Sequence, residues 1–154
     1  MQLPEDKYEA AKLINQQYKD NTLHGSLDIE IVEASPEKMV GTMQVNSKNH
    51  QPFGLLHGGA NVALAESLAS LGAWLNLPDR TTHVAVGQEI NANHLRPIGD
   101  GMVTGEATPL HRGRSSQVWD IKIYDEKRRL VCVSRCTVAI TEIKQKPITS
   151  EKAG

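Results

Sequence analysis

Aromatic side chains are nearly missing from this sequence, with one phenylalanine, two tryptophans and three tyrosines among 154 residues. A core of ordinary single-domain size must then come from Val, Ile, Leu and Ala, and a hydrophobic content of 39% supplies them. Neither sign of charge dominates. Seventeen basic residues against 18 acidic ones give a net charge of −1 and a pI near 6.6, which favours neither nucleic acid nor an anionic membrane as a partner. The opening stretch MQLPEDKYEAAKLINQQYKD is polar where a signal peptide needs an apolar segment. The longest apolar run, about Ala60 to Leu77, is broken by Asn61, Glu66, Ser67, Ser70 and Asn76, so it suits a buried helix rather than a membrane span.

Cysteine is scarce as well. Cys132 and Cys136 fall on one expected strand, about 13 Å apart and beyond disulfide reach. Two unpaired thiols fit a reducing cytoplasm, and thiols in mid-strand are poor nucleophiles. Phosphate-binding glycine loops are absent, as are CxxC pairs and HxH or HxxxH pairs with a third ligand nearby. No metal or cofactor is expected.

What is present reads in order along the chain. Tyr8, Ala11, Leu13, Ile14 and Tyr18 are spaced as an amphipathic helix over residues 5–21. LDIEIVE (27–33) and MVGTMQV (39–45) alternate as half-buried strands, with ASPEK as the turn between them and NSKNHQPFG as the following loop. A long helix is expected from His57 to Asn76, stopped by Pro78. Period-two patterning then persists, giving strands over about 82–94, 101–111, 115–125 and 129–141. RPIGDG, HRGR and DEKRR mark their turns, and the tail 144–154 is polar. One long apolar helix and six strands pack most economically as an α+β domain, with an antiparallel sheet wrapped around the helix. The small residues Ala60, Ala63, Ala65, Ala69, Gly72 and Ala73 allow close approach of strands.

Glu66 is the only charged residue between Phe53 and Pro78. On a wheel of about 100° per residue, its face holds Gly59, Val62, Ala63, Ala69, Ser70, Ala73 and Leu77. A solvated surface carboxylate would have polar neighbours at these spacings. In an apolar wall it loses hydration and becomes a candidate base or nucleophile. Ser70, one turn later, shares the face; Ser67 is about 100° away. At the helix start, Gly58 and Gly59 offer first-turn amides at the positive end of the helix dipole, suited to a carbonyl oxygen that gains negative charge. Gln51 is placed to add an amide. Gly58 and Glu66 lie eight residues apart, about 12 Å along a helix axis, so one small carbonyl cannot touch both. A second copy of the helix running antiparallel would bring them together, which predicts a homodimer with shared sites.

Three stretches, HQPFGLLHGGANVALAES, VGQEINANHLRP and PLHRGRSSQVWDIKIYDEKRRLVCVSR, together resemble the hotdog-fold acyl-CoA thioesterases. The resemblance is to the branch that acts on 1,4-dihydroxy-2-naphthoyl-CoA, 4-hydroxybenzoyl-CoA (the Arthrobacter type) and phenylacetate-pathway thioesters. It covers about 24–141, leaving 1–23 as an N-terminal helical extension, 24–143 as the domain and 144–154 as a tail. It implies Glu66 as nucleophile or general base, Gly58 polarising the thioester carbonyl, Gln51 orienting the carbonyl or a water, and His57 supporting the carbonyl pocket. It places coenzyme A, part of the substrate rather than a cofactor, along Gly87 and along His94, Leu95, Arg96 and Pro97. The hairpin His111, Arg112, Gly113, Arg114, Ser115 and Ser116 completes that path. Arg96, Arg112 and Arg114 suit phosphates. The implied activity is hydrolysis of an aromatic or bulky acyl-CoA by a homodimer or homotetramer, with a broad medium- or long-chain thioesterase as the alternative. A hotdog hydratase would need an acid–base pair acting on the acyl carbons. An acyl-CoA sensor would not need Glu66, and no DNA-binding helix pair accompanies the domain.

Overall fold

The structure is a computed structural model that describes residues 3–143, so the expected tail at 144–154 lies outside the described residues. Among the described residues three helices form: α1 (Lys7–Tyr18), α2 (Leu23–Ser26) and α3 (Gly58–Leu75). The strands are β1 (Ile29–Ala34), β2 (Met39–Gln44), β3 (His83–His94), β4 (Met102–Arg112), β5 (Ser116–Tyr124) and β6 (Leu130–Glu142). They join into one antiparallel sheet in the order β1-β2-β4-β5-β6-β3, which curls around α3. This is the α+β hotdog architecture, with the extra N-terminal helix in place. Among the described residues, no helix is long and apolar enough to cross a membrane.

The small residues of α3 set how closely it sits on the sheet. Leu68 lies over Gly41 of β2 and Gly105 of β4. The ring of Trp119 on β5 covers Gly72 so closely that a Cβ there would stand 2.5 Å from it. Burial of Trp119 leaves its indole N–H to be satisfied. That group donates to Gln117 Oε1 at 3.2 Å, and the NH2 of the same side chain donates to Ala73 O at 3.3 Å.

The N-terminal region differs from its expected course. Asp6 caps α1 by accepting from the amides of Tyr8 and Glu9, and the helix stops at Tyr18 rather than 21. Ala10, Ala11 and Ile14 are its buried residues, while Tyr8 and Leu13 are exposed. Asn15 ties it to β1, donating to Ile31 O at 2.7 Å and accepting from Ile31 N at 2.8 Å. The one-turn α2 was not expected. Asp28, at φ 54°, turns the chain so that β1 begins at Ile29. A bulge between Ile31 and Glu33 then breaks the expected alternation. It leaves Val32 exposed, turns Ala34 inward and gives Glu33 a salt bridge to Lys7 at 3.0 Å.

β3 is an edge strand with no fully buried residue. Its pairing with β6 shifts register between Gly87 and Glu89, with Gln88 as the extra residue. Gly87 and His94 are seven positions apart, so an unbroken strand would point them to opposite faces. The bulge restores the parity, and both face α3.

Candidate active site

The start of α3 is built by an unusual cap. His57 precedes the helix in extended conformation, and its Nδ1 accepts from the Gly59 amide at 2.8 Å. That contact assigns the remaining proton of a neutral ring to Nε2. The His57 carbonyl accepts from Ala60 N at 2.9 Å and Asn61 N at 3.4 Å. Gly58 therefore carries the one first-turn amide without a partner among the described residues, at the positive end of an 18-residue helix. Of the two glycine amides expected as donors, the Gly59 one is spent on the cap.

The loop before the helix is fastened at several points. Asn49, 4% exposed, donates through its side chain to Gln44 O at 2.8 Å and accepts from Asn46 N at 3.0 Å. Its carbonyl accepts from His57 N at 2.8 Å. Asn49 thus links the end of β2 to the helix cap. An asparagine in a polar loop gave no hint of this, beyond a weak Asn46-x-x-Asn49 turn pattern. The Gln51 side-chain carbonyl accepts from Phe53 N, which leaves its NH2 group as a donor. Across the loop, Leu56 N donates to Ile98 O at 2.7 Å. That contact brings His94, Leu95, Arg96 and Pro97 alongside Gln51, His57 and Gly58. A Cβ on Gly58 would meet His94 Nε2 at 2.6 Å.

Glu66 lies two turns further along α3 and is half-buried. Its Oε1 would stand 2.3 Å from a Cβ on Gly87, so the carboxylate rests on bare β3 backbone. It opens into a cleft of about 470 Å³ with Ala63, Ser67, Ser70, Leu71, Trp74 and Ala85. Ser67 belongs to this cleft as much as Ser70 does. Ala69 and Ala73 do not, because both are fully buried against the sheet. The wheel ranked angles correctly but did not reveal which sector the sheet would cover. Trp74 carries Arg80 over its ring at 4.8 Å to the centroid. Neither residue was read from the sequence as part of the site, nor were Tyr18, Thr22, Leu23 and His24, which form the opposite wall.

The hairpin His111 to Ser116 stands toward the C-terminal end of α3, where Arg112 meets the helix cap Asn76. Ser116 pairs with Ala139, which pairs on its other side with Val86, next to Gly87. Gly113 N donates to Ser116 O at 2.8 Å, and Ser115 O accepts from Ile140 N at 2.9 Å. Arg114 is exposed. Arg112 is occupied: it holds Glu37 through both guanidinium nitrogens at 2.8 and 3.0 Å and reaches Asn76 Oδ1 at 3.1 Å. The guanidinium in turn holds the Glu37 carboxyl below its usual range. The expected residues therefore fall into two groups in one chain. Gln51, His57, Gly58 and His94–Pro97 gather at the start of α3. Glu66, Ser67, Ser70 and Gly87 gather at its middle, and the 111–116 hairpin lies beyond them at its C-terminal end, where Arg112 reaches Asn76.

Burial pushes the Cys132 and Cys136 thiols up to about 11; for Cys136, the Glu66 and Glu89 carboxylates act in the same direction. Both sulfurs are buried and free, so neither offers a thiolate near neutral pH.

Comparison with known proteins gives this arrangement a family. The thioesterase superfamily profile matches residues 53–132. A 1,4-dihydroxy-2-naphthoyl-CoA hydrolase from Listeria monocytogenes is 49% identical over 119 residues, which is 77% of this chain and 94% of that protein. The proofreading thioesterase EntH from Klebsiella pneumoniae is 45% identical over 121 residues, 79% of this chain and 87% of its own length. A crystal structure of a thioesterase from Haemophilus influenzae superposes with a TM-score of 0.82 at 42% identity, covering 89% of this chain and 94% of that one. The chain belongs to the thioesterase superfamily and is a thioester hydrolase of the hotdog fold.

Proposed function

We propose that this protein hydrolyses the thioester of an aromatic or otherwise bulky acyl-CoA, releasing the free acid and coenzyme A. The observation that carries the reading is the lone Glu66 carboxylate set on Gly87 at the head of a largely apolar cleft. A relative that is half identical is named a 1,4-dihydroxy-2-naphthoyl-CoA hydrolase, which supports a bicyclic aromatic acyl group.

The chemistry follows from charge. Attack of oxygen on the thioester carbonyl places negative charge on the carbonyl oxygen, which the Gly58 amide and the α3 dipole stabilise. Gln51 orients the carbonyl or a water through its free NH2, and His57 supports the pocket through its Nε2–H. In one route Glu66 attacks the carbonyl to give an anhydride, with coenzyme A leaving as its thiolate and water then cleaving the anhydride to the free acid and the Glu66 carboxylate. In the other it takes a proton from an attacking water whose oxygen displaces the thiolate, which that proton then neutralises. Ser67 and Ser70 hold the carboxylate or that water. Coenzyme A runs past Gly87, His94–Pro97 and the 111–116 hairpin. Arg96 and Arg114, both exposed, pair with its phosphates, and Arg112 joins them by exchanging Glu37 for phosphate.

Each site is completed by a second chain. β3 offers a 12-residue edge, unpaired among the described residues, on which Val84 and Val86 are exposed, a surface suited to a partner strand. Two β3 edges pairing antiparallel, with Gly87 of one facing the partner subunit's His94 and Gln88 bulged out of each strand, form a symmetric ladder centred on Asn91. That ladder carries Glu66 of one chain to the helix start of the other, closing the 12 Å gap. A dimer of such dimers is the expected assembly.

The test is release of free coenzyme A thiol from a panel of acyl-CoAs, with Glu66→Gln beside the wild type. The wild type should turn over aromatic thioesters, and Glu66→Gln should lose at least ~10²-fold in kcat. Wild-type turnover in a folded Glu66→Gln protein would end the mechanism. Preference for short linear thioesters over every aromatic one would end the substrate assignment.

A further inference from the structure

The cleft beneath Glu66 has walls from two distant parts of the chain. α3 supplies one, with Leu71 and Trp74 as its largest side chains, and the α1–α2 junction supplies the other, with Tyr18, Thr22, Leu23 and His24. The junction precedes the stretch matched by the family profile, which begins at residue 53. It is also firmly shaped. Asn21 and Asp28 hold left-handed conformations at φ 58° and 54°. The Thr22 hydroxyl donates to Tyr18 O, and Ser26 N donates to Thr22 O at 3.1 Å. Any Cβ on Gly25 would strike Lys19 O at 1.9 Å, so glycine alone permits this fold of the chain. Asn15 anchors the whole unit to β1. A wall built this way keeps its shape when a ligand enters.

Its chemistry is divided. Leu23 is 55% exposed although it faces the cleft, an apolar side chain with room for an occupant. His24 is half-buried and lines the same cleft. Desolvation lowers its pKa, so near pH 7 the ring is neutral and offers one donor and one acceptor.

We propose that the α1–α2 junction is the specificity wall of the acyl pocket, Tyr18 and Leu23 packing the apolar body of the acyl group and His24 hydrogen-bonding a hydroxyl carried at its far end. The assignment rests on the reading of this cleft as the acyl site of a thioesterase. It makes the preferred substrate a hydroxylated aromatic thioester. A buried polar partner discriminates far better against the analogue that lacks the hydroxyl than an apolar wall discriminates by size.

Steady-state kinetics on the full-length protein test this with four thioesters: 4-hydroxybenzoyl-, benzoyl-, 2-naphthoyl- and propionyl-CoA. His24→Phe should lower the kcat/KM ratio of 4-hydroxybenzoyl- to benzoyl-CoA about tenfold. Leu23→Trp narrows the cleft from a tolerant, exposed position and should lower the 2-naphthoyl to propionyl ratio by a similar factor. Ratios within one preparation do not depend on the folded fraction. If both ratios stay within about twofold of wild type, the wall does not select the acyl group and the proposal fails, while the thioesterase reading stands. If His24→Phe is folded yet inactive on all four, His24 belongs to the chemistry and the proposal is equally overturned. If the wild type hydrolyses none of a wide acyl-CoA panel, the reading of the cleft itself is wrong and the wall falls with it.

Discussion

β5 and β3 belong to the same sheet, yet they answer to different demands. β5 alternates cleanly, burying Gln117, Trp119, Ile121 and Ile123 against α3 and the core. β3 is longer, sits at the edge and buries nothing completely. Its alternation is broken at Gln88, and that break turns both Gly87 and His94 toward α3. β5 holds the helix in place, whereas β3 carries Gly87 against Glu66 and His94 against Gly58. Stability and activity should therefore separate along this line.

The largest effect belongs to the β5 side. Trp119→Ala removes a fully buried ring and the cover of Gly72. It should cost about 3–5 kcal/mol in urea unfolding. A loss under about 1 kcal/mol would mean that the core does not depend on this contact. Next in size is Glu66→Gln, with its ~10²-fold loss in kcat and an unchanged midpoint of unfolding. Equal damage to stability would blur the division. Smaller again is Gly87→Ala. The new methyl collides only with the mobile end of Glu66. It should displace the carboxylate, costing about tenfold in kcat with little change in melting temperature. Full activity would show that Glu66 does not need its seat on β3. The smallest effect is the slow reaction of the two thiols in the folded state. With both thiols pushed up to about 11, a disulfide reagent at pH 8 should label Cys132 and Cys136 only slowly until the protein is unfolded. Rapid labelling of the native protein would contradict their burial.

Much of the fold was legible because it rests on period and punctuation. An apolar run closed by Pro78 gave α3 to within a residue at each end, and period two gave all six strands. Glu66 stood out because a charge in an apolar helix is costly unless it serves a purpose. The missed features depend on contacts distant in sequence or on single-residue irregularities. No pattern in residues 18–24 announces that they face residues 63–74. The bulges at Val32 and Gln88 change parity without changing composition. Ala69 and Ala73 were assigned to the Glu66 wall because a wheel contains no sheet.

The central claim is that Gln51 and Gly58 of one chain serve Glu66 of another, and complementation between inactive variants tests it most directly. Gln51→Ala and Glu66→Ala homodimers should each be nearly inactive. In a verified heterodimer of the two, one site carries both lesions and the other carries neither. The shared site predicts recovery of up to about half of wild-type activity per heterodimer. If both residues served the same site from one chain, every site would keep a lesion. Persistent inactivity of the heterodimer would contradict the account.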